Sequence, residues 1–234
     1  MRRTRLAAVS AALLLCACAL QPPRRAGPEE VAPPAAAMAR DYEQIARTRQ
    51  PVFEIDPARS LLVLEVRRSG SLAHLGHDHV VASHGVHGYV APQQGRADLY
   101  VRLDELAVDE PELRSAAGFD TTPSAADIAA TRENMLGKVL HVDEHPFAVV
   151  SLSRIGSDDK SATLRASVTL NGVTRSATIE ARIEGAAEGM RVTGQTTLIQ
   201  SDFGIAPFSI LGGAIQVQDS VSVRFDIRTR LPEP

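Results

Sequence analysis

Five of the chain's seven histidines, His74, His77, His79, His84 and His87, fall within the stretch AHLGHDHVVASHGVH. Imidazole is a common zinc and copper ligand, and it is the side chain that most readily gains or loses a proton near neutral pH. Spacing limits which of the five can act together. His74, His77 and His79 surround Gly76 and could converge in a turn on one Zn²⁺ or Cu²⁺, with Asp78 as a ligand or an orienting partner. Val80–Val90 reads as one strand whose apolar face carries Val80, Ala82, Val86 and Val90. On that register His84 is a hydrogen-bonded core residue, while His79 and His87 share the other face. Eight residues at ~3.3 Å each put those two ~26 Å apart, too far for one ion. The competing reading of the window is a polar loop and rim with no metal.

Other motifs offer little chemistry. His141-Val142-Asp143-Glu144-His145 matches H-x-x-E-H, but Pro146 disfavours helix at His145, and Phe147–Leu152 reads as a strand. No G-x-S-x-G elbow, Walker A loop or G-x-G-x-x-G is present, so neither a serine hydrolase nor a nucleotide site has support. The expectation is a binding protein rather than an enzyme, with no cofactor required.

The chain has 234 residues, 44% of them hydrophobic and 23% charged, with a formal net charge of -3. Such a surface does not neutralise phosphates, and 4% aromatics with no Trp supply few stacking platforms, so a nucleic-acid partner is not expected. Arg2, Arg3 and Arg5 followed by the apolar Leu6–Leu15 read as an export signal too short to span a bilayer. Leu15-Cys16-Ala17-Cys18 resembles a bacterial lipobox, which makes Cys18 the acylated residue. Residues 1–18 are then a lipoprotein signal, and residues 19–51 a Pro/Ala-rich linker in which Asp41–Arg47 forms a helical turn or two. The expected location is the cell envelope, lipid-anchored and facing the periplasm, on the outer membrane. With both cysteines in the leader, the domain from residue 52 to 234 has no internal disulfide.

Within that domain the ruling signal is period two. Leu164, Ala166, Val168 and Leu170 share one face, and Asn171-Gly172 marks a type I′ hairpin. Val173, Ala177, Ile179, Ala181 and Ile183 follow on the returning strand. Met190–Leu198 and Val221–Leu231 repeat the alternation, the latter through Val223 and Phe225. Only Ser124–Leu140 reads as helix, with Ser124 and Asp127 as a capping box and Ile128, Met135 and Leu136 at helical spacing. This is an all-β pattern: a closed up-and-down antiparallel barrel with one inserted helix.

Four segments in this order resemble the YceI-like proteins, periplasmic lipocalin-like barrels that bind polyisoprenoids. They are Phe53-Glu54-Ile55-Asp56 with Ser60, His141–Pro146 leading to a strand ending at Ser151, Leu170-Asn171-Gly172-Val173-Thr174, and Ser201-Asp202-Phe203-Gly204-Ile205. The resemblance spans Val52 to Thr229, and the histidine window departs from it. It implies an eight-stranded lipocalin-like barrel whose interior holds an isoprenoid lipid or isoprenoid quinone against apolar wall residues. Here those are Leu164, Val168, Leu170, Ile179, Ile183, Leu198, Val223 and Phe225, with Phe203 and Phe208 closing the mouth or packing in the core. Small inner residues (Ala166, Ala177, Ala181, Gly194) favour a cavity over a filled interior. The expected partners are that lipid and, through the anchor, the membrane, with a homodimer left open. A metal-binding periplasmic protein using His74, His77 and His79 is the alternative.

Overall fold

The computed structural model describes residues 32–158, 161–185 and 189–232. The strands, in chain order, are β1 (Phe53–Ile55), β2 (Leu61–Val66), β3 (Arg68–Ser69), β4 (His79–Ser83), β5 (Val86–Ala91), β6 (Arg96–Arg102), β7 (Ala107–Val108), β8 (Phe147–Ser157), β9 (Ser161–Leu170), β10 (Val173–Gly185), β11 (Met190–Ile199), β12 (Ser209–Ile210), β13 (Ile215–Val217) and β14 (Ser220–Arg230). Helices α1 (Ala35–Arg47), α2 (Pro111–Ala116) and α3 (Ala125–Asn134) accompany them.

Each long strand pairs with its neighbour in the chain. The hairpin of β9 and β10 runs in register from Val173 opposite Leu170 to Arg182 opposite Ser161. Its turn residues Asn171 and Gly172 both have positive φ, 50° and 71°, as the sequence demanded. Along β14 lie β2 and then β1, end to end, and these two pair on their other side with β4 and β5. Counted this way, β1–β2 and β4–β5 are each one interrupted strand. The sheet β1–β2, β4–β5, β6, β8, β9, β10, β11, β14 therefore closes on itself as an eight-stranded antiparallel barrel. Closure leaves no long free edge, and the alternation expected from the sequence becomes an inner and an outer face.

The interruption at His84-Gly85 has a large consequence. In β4 the odd-numbered residues His79 and Val81 face inward, opposite Val66 and Leu64. In β5 the even-numbered Val86 and Val90 do, opposite Val101 and Ala97. A one-residue offset flips every side chain to the other face. The expected single strand Val80–Val90 is thus wrong, and Val80 and Ala82 are not on the inner face. His84 is not a core residue but an exposed turn residue whose Nε2 lies 2.8 Å from Glu110. His87 and His79 do not share a face either: His87 stacks outside on Tyr100, with ring centroids 5.3 Å apart.

The helix expected at Ser124–Leu140 is present, with Ser124 at the N-cap and both arms of the capping box formed with Asp127. After Asn134 it widens into a π turn, Met135–Val139. His141–His145 then forms a tight turn, with the amides of Glu144 and His145 both bonded to the His141 carbonyl. The H-x-x-E-H match is therefore not on a helix.

Part of the expected linker, residues 19–51, lies among the described residues. Residues 35–47 form α1, which carries Tyr42 and Ile45 into a small cluster with Val52, Ala91 and Tyr89. Tyr42 stacks on Tyr89 at 5.4 Å and donates a 2.9 Å hydrogen bond to Asp98. Burial first, and the Asp98 carboxylate second, push the Tyr42 hydroxyl far above the ordinary phenol range. The leader residues 1–18, including Cys18, lie outside the described residues.

Candidate functional site

Because eight strands close around a space about one small ligand wide, what fills the interior decides the function. Here the interior is not filled. A cavity of about 550 Å³ runs through it, within the usual size of ligand pockets. Leu64 and Val66 of β2, Val81 of β4, Leu99 of β6 and Val150 of β8 form one side. Leu164, Val168 and Leu170 of β9, Ile179 and Ile183 of β10, Leu198 of β11, and Val223 and Phe225 of β14 form the other. All eight expected wall residues lie on it, as do Phe203 and Phe208.

Most of the polar wall residues lie near its two ends, with Thr196 of β11, opposite Val223, on the aliphatic stretch between them. Pro92, Gly95, Arg96 and Arg154 lie where β5 turns into β6. Thr131 and Asn134 of α3, Arg175, Gln200 and Asp202 lie at the opposite end. There Met135 and Val139 of the π turn, and Leu140 just after it, also reach the cavity, so the inserted helix caps the barrel.

The small inner residues do not all contribute. Ala177 lines the cavity, whereas Ala166 and Ala181 are packed away at 0% and 3% exposure. Gly194 makes room for a ring: a Cβ there would stand 2.5 Å from Cζ of Phe225. Arg175 was passed over in the sequence, although the pairing Arg175–Val168 puts it on the inner face. The β2, β6 and β8 walls were also missed: β2 and β6 are short, and β8 carries Phe147 and Val149 on its outer face as well as Ala148 and Val150 on its inner one, so its alternation is weak.

The expected metal ligands do not gather. Among the described residues no group of three or more His, Cys, Asp or Glu is placed to hold an ion. His74 is exposed on a short helical turn, Ala73–Leu75. Asp78 accepts the backbone N–H of Arg68 at 2.8 Å. His77 packs edge-on to His79, with centroids 6.2 Å apart, and its Nδ1 is buried with no partner among the described residues. His79 instead has its Nδ1 2.6 Å from Asp109 Oδ2, at the helix-capped end of the cavity.

Asp109 has a fully buried side chain, sits at a positive φ of 58°, and accepts from three donors. These are His79, the Val80 amide at 3.0 Å and Arg114 at 2.5 Å. Burial alone would raise its carboxyl, but the hydrogen bonds from His79, Val80 and Arg114 outweigh that and hold it below the ordinary carboxylate range. Arg114 in turn donates to the carbonyls of Asp78 and Thr121. Every charge here is paired.

A barrel with an aliphatic interior and a helical cap is the geometry on which comparison with known proteins turns. The model of the YceI-like domain matches residues 53–229. The chain belongs to this family. The YceI-like barrel is similar in fold to a polyisoprenoid binding domain from Saccharophagus degradans implicated in plant cell wall breakdown. The TM-score is 0.55 at 14% identity, covering 77% of this chain and 98% of that one. It is also similar to BcnA from Burkholderia cenocepacia, with a TM-score of 0.52 at 12% identity, covering 74% of this chain and 98% of that one. At these identities the likeness establishes the fold. No match is found among curated proteins.

Proposed function

We propose that this YceI-like barrel carries a long apolar lipid of isoprenoid type, a polyprenol or an isoprenoid quinone, inside its cavity. The observation that carries the reading is the 550 Å³ space walled by aliphatic side chains, whose charged residues belong to its ends. A charged substrate would find no partner along most of its length, whereas hydrocarbon is favoured throughout. Each buried CH₂ contributes roughly 0.8 kcal/mol, so a five-carbon prenyl unit contributes about 4 kcal/mol. Association costs ~4–15 kcal/mol, and three or four units would thus give measurable binding without a strong polar anchor. The family's fold is shared with a domain described as polyisoprenoid binding, which supports the same ligand class.

The protein does this, on our reading, as a lipoprotein acylated at Cys18 and held at the periplasmic face of the outer membrane. The lipobox pattern Leu15-Cys16-Ala17-Cys18 supports that. Native mass spectrometry of protein purified from its own membranes should report a bound organic-extractable lipid. Cys18→Ser should move the protein to the soluble periplasmic fraction. Recovery of the wild type with no lipid, together with no binding of added prenol, would refute the cavity's proposed role.

A further inference from the structure

The cavity wall contains one histidine among the described residues, His79, at the end capped by α3. Opposite Val66 in the β2–β4 register, it faces inward among aliphatic residues. Its side chain is 15% exposed. Its surroundings fix its chemistry. Asp109 is held as a carboxylate by the Val80 amide and by Arg114, which is itself locked onto the carbonyls of Asp78 and Thr121. A carboxylate can only accept, so the neutral ring places its single proton on Nδ1 and donates it to Asp109. This tautomer is assigned from the hydrogen-bond network. Nε2 is then a hydrogen-bond acceptor, and among the described residues it has no partner.

Beyond tying down the Val80 amide and the carbonyls of Asp78 and Thr121, the positive φ of Asp109 and a buried ion pair are costly features beside an apolar cavity. They make sense as the support for one oriented imidazole. His77, edge-on at 6.2 Å and with its own Nδ1 buried without a partner, sets a second unfilled nitrogen beside it. The barrel therefore offers a long, largely apolar lumen whose capped end holds this oriented acceptor among Thr131, Asn134, Gln200 and Asp202.

We propose that His79 Nε2 anchors the head of the bound lipid, and that the head is a hydroxyl that donates to it, as in a long-chain prenol. The inference rests on the reading of the cavity as an isoprenoid site. It orients the ligand, with the head under α3 beside Thr131 and Asn134 and the tail running toward the turn between β5 and β6. His79 is here a binding residue, with Asp109 and Arg114 as positioning residues that set its proton.

The test compares geranylgeraniol with its methyl ether, which has the same tail and a head oxygen lacking a proton. Wild-type protein should bind the alcohol roughly two- to tenfold more tightly than the ether, the range for one net hydrogen bond. His79→Leu should lose the preference, binding the alcohol and the ether alike. In ¹⁵N-histidine-labelled wild type, the Nε2 resonance of His79 should move on adding the alcohol and stay put on adding the ether. The isotope experiment decides the matter even if the leucine variant does not fold. Binding of neither compound would overturn the isoprenoid reading itself. Equal binding of both, with an unmoved Nε2 resonance, would overturn the anchor and leave that reading standing.

Discussion

Ala177→Leu is the substitution that asks most of the cavity. Ala177 stands on β10 opposite Ala166, on the same inner face as Ile179, and its methyl group meets the lumen. A leucine adds three carbons to that wall with no neighbour to displace. If a prenyl chain fills the same space, three of its carbons must leave, which costs about 2.4 kcal/mol at ~0.8 kcal/mol each. That is close to a 50-fold loss of affinity, since 1.4 kcal/mol is about a factor of ten. Unliganded stability should hold within about 1 kcal/mol, because the added carbons enter empty space. The matched control is Ala181→Leu. Ala181 is buried and pairs with Gly194, over which the Phe225 ring lies. There the same leucine overpacks the wall and should cost about 1–3 kcal/mol of stability. Prenol titration by intrinsic or dye-displacement fluorescence, together with urea unfolding of both variants, checks each number. Ala177→Leu protein that stays folded and binds prenol within twofold of wild type would refute the cavity as the binding site.

Four further outcomes follow from the same geometry. Arg114→Met leaves the fully buried Asp109 without its cationic partner and should destabilise the domain by roughly 3–5 kcal/mol at neutral pH in chemical unfolding. Asp109 is depressed in the folded state, so its stabilisation is complete above the unfolded carboxylate value near ~3.9 and is lost as pH falls through the lower folded value. Wild type should therefore lose stability in strong acid more steeply than Asp109→Asn, and parallel pH profiles would contradict the assignment. Gly194→Ala places a methyl group 2.5 Å from Phe225 and 2.8 Å from the Glu180 carbonyl, so a loss of about 1–3 kcal/mol is expected by thermal unfolding. Tyr42→Ala removes the buried ring that stacks on Tyr89 and bonds Asp98; limited proteolysis should then cut α1 while the barrel stays intact.

The long strands of the second half were legible because their environment is the simplest a strand can have. From β9 to β14 one face meets the lumen and the other meets water, so Leu164, Val168, Ile179 and Val223 recur at period two and report the inner face directly. The Asn171-Gly172 turn and the Ser124 capping box were legible because they are local chemistry, settled within four residues. The first half resisted. An offset at His84-Gly85 inverts the alternation between β4 and β5, and nothing in Ser83-His84-Gly85-Val86 announces it. That offset leaves His79 inward and His87 outward; the metal reading, built on the spacing of His74, His77 and His79, failed instead because His79 turns to Asp109 and the three do not gather among the described residues.

By itself the sequence determined an all-β barrel, the Asn171-Gly172 hairpin, the helix capped at Ser124 and an apolar inner face, because each follows from periodicity, a cap's local chemistry or a turn's own φ requirements. Only the tertiary structure decided what occupies the interior. Whether alternating alanines leave a void or a seat for a neighbour depends on side chains distant in the chain, as Phe225 over Gly194 and the open wall at Ala177 show. It also decided what His79 does, since the proton on its ring is placed by Asp109 and Arg114, 30 and 35 residues away, and no local pattern encodes that meeting.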